Sequence, residues 1–212
     1  MPRPPDPAKR RDLLDQVREY MIRNGLADLS LRPLARSLDT SDRMLLYYFG
    51  SKERMVAEAL ALDERRPLLR ARILLRPTGS PRDPAWLRRF MEDTWQQLGT
   101  PELRAALPLY LEIMTVSVLH PDRYGPFMRD VLTEWRGLLA SVFRDLGMAE
   151  AQARTEADLL VDAFFGLLIA PLADGDWDRA DAAVHTLLDR LEPGWHDTWR
   201  RSGRQLGENH SA

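Results

Sequence analysis

The stretch SLRPLARSLDTSDRMLLYYFGSKE, Ser30 to Glu53, holds two short helical patterns joined by a turn of only three or four residues. Helices this short are marginal alone in water, where about 12 to 15 residues are needed for stability. They must belong to one rigid unit that presents one of them outward. Leu34, Ala35 and Leu38 on the first helix and Leu45 and Phe49, an i, i+4 pair, on the second supply an inner seam, with small Ala35 allowing close approach. Asp42, Arg43, Met44, Leu46, Tyr47 and Tyr48 are left for the outside of the second helix. That face is too rich in large side chains for plain solvated surface. Adjacent residues on a helix point about 100° apart, so at least one of Tyr47 and Tyr48 is expected to be exposed.

The flanking sequence repeats the helical signals. After PRPPDP, Asp6 is placed to cap a helix with Pro7 in its first turn, and Leu14, Val17 and Met21 form one apolar stripe. Asn24-Gly25 is a stop signal, with Leu26 placed to fold back onto the last turn. Ser30 is expected to cap the second helix, through Leu38, and Ser41 the third, from Asp42 to about Tyr48. Gly50-Ser51 ends the third and caps a fourth at Lys52. Beyond it the periodicity predicts helices near 52–75, 84–98, 101–119, 126–146, 149–172 and 178–191, with no strand alternation. Pro67 and Pro108 should kink or split their helices, and RPTGSPRDP, Arg76 to Pro84, reads as a loop. EADLLVDAFFGLLIAPL and RADAAVHTLLDRL are apolar over more than one stripe, which calls for a second partner, most economically another copy of the chain.

Composition excludes several classes of chemistry. The 212 residues contain no cysteine, which removes disulfides, thiol catalysis and thiolate metal sites. The four histidines lack metal-ligand spacing, no serine sits in GxSxG, and no glycine loop is built to cradle phosphate. DGDWD, Asp174 to Asp178, has its glycine at the second position and His185 at the twelfth, so it reads as a turn with a capping Asp rather than a calcium loop. No enzyme, metal or cofactor is expected. No apolar run approaches the roughly 20 residues of a membrane helix, and a cytoplasmic location is expected. The net charge of −2 is unevenly divided, with +3 over residues 1–52 and −5 over 53–212, which fits a polyanion partner for the N-terminal part alone.

The motifs LLDQV, NGLADLSLRPLARSLDTS and above all LYYFGSKE are carried by a stretch from Arg11 to about Leu60 that resembles the DNA-binding domain of the TetR family of transcriptional regulators. The resemblance implies an all-α chain with an N-terminal three-helix helix-turn-helix DNA-binding domain and a C-terminal helical ligand-binding and dimerisation domain. It implies that Arg32, Asp42, Arg43, Met44 and Tyr48 face bases or backbone in the major groove of double-stranded DNA. Tyr47 and Lys52 would hold phosphates, Lys52 from a helix start that itself favours an anion. The basic residues Arg3, Lys9, Arg10 and Arg11 would add minor-groove contacts. For Asp42 a second reading, a carboxylate favourably placed at a helix N-terminus, stands beside cytosine recognition.

Three positions depart from the family pattern. Asp39 stands where glycine is usual in the turn, Arg43 and Met44 stand where a small residue and threonine are usual, and Leu46 replaces a tyrosine. Asp tolerates the left-handed conformation at some cost. Leu46 forgoes a phosphate contact, and Arg43 offers a bidentate pair to guanine.

The expected organisation is therefore residues 1–52 for DNA binding, 53–192 for ligand binding and dimerisation, and 193–212 as a tail in which Trp195 and Trp199 pin a short terminal helix. Aromatics at helical spacing in the second part belong mainly to a core. Tyr110, Met114, Trp135 and Phe165 are the candidates to line a site for a small, largely apolar effector. The functional expectation is a homodimeric repressor that reads a palindromic operator and is released by that effector. Two alternatives stand beside it: a small all-helical enzyme with a Trp- and Tyr-lined substrate cavity, for which the sequence shows no recognisable acid-base pair, and a helix-turn-helix serving a protein partner, separable by its flat dependence on salt.

Overall fold

The computed structural model describes residues 6–26, 29–60 and 83–209, with side chains described to residue 203. Its helices are α1 (Pro7–Asn24), α2 (Leu31–Ser37), α3 (Asp42–Phe49), α4 (Lys52–Leu60), α5 (Pro84–Leu98), α6 (Pro101–Leu119), α7 (Gly125–Asp145), α8 (Glu150–Asp174) and α9 (Trp177–Asn209). Among the described residues there is no strand, and no helix is long and apolar enough to cross a membrane. Arg3, Pro67, the part of the expected fourth helix from 61 to 75 and most of the loop from Arg76 lie outside the described residues.

Local chemistry accounts for most helix ends. The Asp6 carboxylate accepts from the Ala8 N–H at 2.9 Å, and Gly25, at φ +73°, stops α1 while its N–H bonds to the Met21 carbonyl. Leu26 folds back and is buried. Ser30 precedes α2 in extended conformation but its side chain caps nothing, contrary to the expectation. The third helical residue is Pro33, which has no N–H for a capping hydroxyl to reach. At the other end Asp39 takes φ +48° and the Thr40 N–H reaches back to the Ala35 carbonyl at 2.9 Å, the six-to-one bond of a left-handed helix stop.

The described residues fall into two compact units. The first contains α1 to α4 together with Pro101–Arg129, so packing joins α6 to the N-terminal helices. Leu13, Leu14, Val17 and Met21 of α1 meet Leu34 and Ala35 of α2, Leu45 and Phe49 of α3, Met55, Val56, Ala59 and Leu60 of α4, and Leu109 and Ile113 of α6. Each buried leucine contributes about 1.5 to 3 kcal/mol. The fragment Ser30–Glu53 has four fully committed apolar anchors and borrows the rest of its core from α1, α4 and α6. Despite Pro108, α6 runs unbroken, held by buried residues on both sides of the proline, Leu107 and Leu109.

The second unit contains α5 and the chain from Asp130 onward, with α5 and α8 both packed on α9. Trp95 meets Phe164 edge to face at 5.9 Å, and Phe143 meets Trp195 at 6.0 Å. Arg88 joins α5 to α9 through Asp189 and Glu192 at 2.7 and 2.8 Å, and these hydrogen bonds raise its pKa above the ordinary arginine value. The helix expected over 178–191 continues instead to Asn209, straight through Pro193. Its buried face explains this: Ala180, Val184, Leu188, Trp195 and Thr198 keep one helical stripe across the proline, and their burial outweighs one lost backbone hydrogen bond. Trp195 is 1% exposed and does pin the chain end, but as part of α9 rather than of a separate helix.

Candidate nucleic-acid interface

The projecting surface of the first unit is built by α2 and α3. The Ser41 hydroxyl accepts from the Met44 N–H at 3.1 Å and starts α3. Leu45 and Phe49 are buried on its inner side. With the anchors at positions 45 and 49, the helical period turns Tyr47, Arg43 and Met44 furthest outward and sets Leu46 on the flank, and Arg43, Leu46 and Tyr47 are exposed. Leu46 is 40% and Tyr47 47% exposed. Tyr47 stacks edge to face on half-buried Tyr48 at 5.4 Å, so one tyrosine projects and the other braces it. Met44 is half-buried. Arg32, in the first turn of α2, is exposed.

Two of the sequence candidates already have partners within the fold. The Asp42 carboxylate accepts from the Arg43 backbone N–H at 2.9 Å, as its helix-terminus reading expects. The Lys52 ammonium donates to the Leu29 carbonyl at 2.6 Å and ties α4 to the segment that leads into α2. An ammonium has three donors, and this bond uses one.

Three residues of the site escape a reading of sequence. Arg10 does not extend in an arm: it lies in α1, half-buried, paired with Glu58 of α4, its guanidinium 5.2 Å from the Phe49 ring centroid and its Nε donating to the Tyr48 carbonyl at 3.4 Å. It thereby fastens the C-terminal end of α3. Arg54 shares Glu58, at 2.9 Å. Glu112 of α6 reaches the α1–α2 connection, where its carboxylate accepts from the Leu26 N–H at 2.6 Å. The partners of Arg10 and Glu112 are 48 and 86 residues away, separations at which side-chain patterning carries no signal. Lys9 and Arg11 are exposed on α1.

Residues 13–59 match the family model described as bacterial regulatory proteins, tetR family. That segment is similar to the DNA-binding part of the tetR family. Solved structures extend the likeness of fold beyond the matched segment. A transcriptional regulator from Rhodococcus sp. Rha1 is 19% identical with a TM-score of 0.72, over 87% of this chain and 96% of that one. A regulator from Saccharomonospora viridis, solved in complex with choline, is 22% identical with a TM-score of 0.68, over 88% and 96%. BioQ, solved with its double-stranded DNA operator, is 20% identical with a TM-score of 0.53, over 84% and 96%. No curated protein matches the chain.

The four effector candidates lie on three helices. Tyr110, buried, and Met114, half-buried, lie on α6 in the first unit. Trp135, buried on α7, and Phe165, half-buried on α8, lie in the second. Met114 packs against the core of the first unit.

Proposed function

We propose that this protein is a regulator of the TetR family, a homodimeric repressor that binds a palindromic operator and is released by a small, largely apolar effector. The observation that carries the DNA-binding half is the outward trio Arg43, Leu46 and Tyr47 on a helix whose opposite side is locked into a core. Such a face offers a bidentate cation, an apolar tip and a phenol together, the groups that read base edges and hold phosphate. Arg32, Asp42, Met44 and Tyr48 complete the proposed major-groove surface. Tyr47 and Lys52 take phosphates, Lys52 with the donors that the Leu29 carbonyl leaves unused.

Two-fold symmetry supplies the rest of the mechanism. Paired α3 helices roughly 34 to 36 Å apart, or a small multiple of that, read a palindrome. Leu159, 47% exposed, and Ile169, 50% exposed, share one outward side of α8 with Gly166, and support pairing of copies through the last long helices. The S. viridis structure holds choline and the BioQ structure holds its operator, which supports one fold accommodating both kinds of partner. Tyr110 and Met114 in the first unit, and Trp135 and Phe165 in the second, are each proposed as effector-contacting residues. By linkage, an effector that weakens DNA binding is itself bound less tightly by the DNA-bound form.

The decisive test is selection from a random duplex library with the purified protein at two salt concentrations. A palindromic consensus, with log affinity falling about 0.9 per phosphate contact per log unit of salt, is the expected result. No enrichment by a folded protein, or binding indifferent to salt, would sink the reading in favour of a protein partner.

A further inference from the structure

Leu46 is the least explained residue of α3. Arg43 beside it can read guanine and Tyr47 can hold a phosphate, but Leu46 has neither a donor nor an acceptor. It is nonetheless held out at 40% exposure on the same face, while Leu45, its neighbour in sequence, is fully buried. The exposure is imposed: Leu45 and Phe49 fix the rotation of α3, Arg10 fastens its C-terminal end against α1 and α4, and Ser41 fixes its start. Leu46 cannot turn inward without withdrawing both anchors from the core.

The only apolar group on a base edge in the major groove is the 5-methyl of thymine. We propose that Leu46 is a specificity-determining residue that packs on a thymine methyl in each half-site, an assignment that rests on the DNA-binding reading above.

The geometry also places that thymine. Residues 43 and 46 are three apart on one face of a helix, and three residues rise about 4.5 Å along the axis. Successive bases on a strand are about 3.4 Å apart. The thymine read by Leu46 therefore lies one or two base pairs from the guanine read by Arg43. A half-site with G and T at that spacing is the signature of this face.

Deoxyuridine tests this directly, since it keeps every hydrogen-bonding group of thymine and lacks only the methyl. With the selected operator as probe, each thymine of the half-site is replaced in turn and affinity is measured by fluorescence anisotropy for the wild type, Leu46→Ala and Leu46→Met. Burial of one methyl corresponds to about a fourfold change, or about fifteenfold for both half-sites together. One position should show that loss in the wild type and in Leu46→Met, one or two base pairs from the position at which Arg43→Ala loses its preference. Leu46→Ala should bind thymine and uracil operators equally at that position. An alanine variant that stays as sensitive to the methyl as the wild type, or an operator with no sensitive thymine, overturns the assignment of Leu46 while leaving the DNA-binding reading intact. Failure to select any operator overturns both.

Discussion

The Glu112 carboxylate on α6 accepts the Leu26 N–H at 2.6 Å, across 86 residues of sequence, directly after the glycine that ends α1. A β-carbon on Gly25 would lie 3.1 Å from the same carboxylate, so the approach is close and the position also demands φ +73°. Glu112→Ala leaves a half-buried N–H without its acceptor and should cost about 1 to 3 kcal/mol in urea unfolding. Glu112→Gln keeps an acceptor oxygen and should lose less than the alanine variant. Equal stabilities for the wild type and Glu112→Ala would mean that the bond contributes nothing.

Lys52 is proposed to serve two ends at once. Its bond to the Leu29 carbonyl belongs to the fold, and its remaining donors are assigned to phosphate. Lys52→Ala should weaken binding to specific and random duplexes by similar factors and flatten the salt slope by about one unit. It should also lower stability by about 1 kcal/mol, a loss that a residue serving phosphate alone would not show. Parallel salt titrations and urea unfolding separate the two effects.

Arg43 should behave differently. It is exposed on the projecting face, and Arg43→Ala should relax preference at one base pair per half-site, costing about 1 to 3 kcal/mol for each bidentate contact. Binding to random DNA should change far less. A uniform loss on all sequences would reassign Arg43 to the phosphate backbone.

Tyr124, in the core of the first unit, provides a prediction about pH. Burial, and secondarily the negative charge of Glu53, raise its phenol above the ordinary value of 10.0. The unfolded chain then releases this proton at lower pH than the folded one, so the contribution is complete below about pH 10 and is lost as pH rises from there through the folded pKa. Stability of the wild type should fall over that alkaline range. Tyr124→Phe should lessen the fall, and identical profiles for the two proteins would refute the account.

What was legible in the sequence follows the range of the interactions involved. Asp6, Gly25 and Ser41 act within a few residues of themselves, and the helix ends they set lie where the sequence placed them. The inner seam of α2 and α3 was equally local, because 3.6-residue periodicity assigns Leu34, Ala35, Leu45 and Phe49 without knowledge of what they meet. Ser30 failed because the cap depended on a specific neighbour, Pro33, as well as on residue type. The run of α9 through Pro193 failed because burial of Trp195 and Thr198 overrides a local preference. Arg10 and Glu112 form bonds that exist only after distant helices have packed, and no pattern within a short window contains them.

The left-handed Asp39 between α2 and α3 has a consequence for change over time. A non-glycine residue held in that conformation carries a strain of about 1 to 2 kcal/mol, and Asp39→Gly would relieve it, less the flexibility that glycine adds to the unfolded chain. The turn thus keeps a stabilising step one substitution away. A descendant that took it could tolerate a poorly packed replacement on α3, and so acquire a new preference in DNA without losing the domain that presents it.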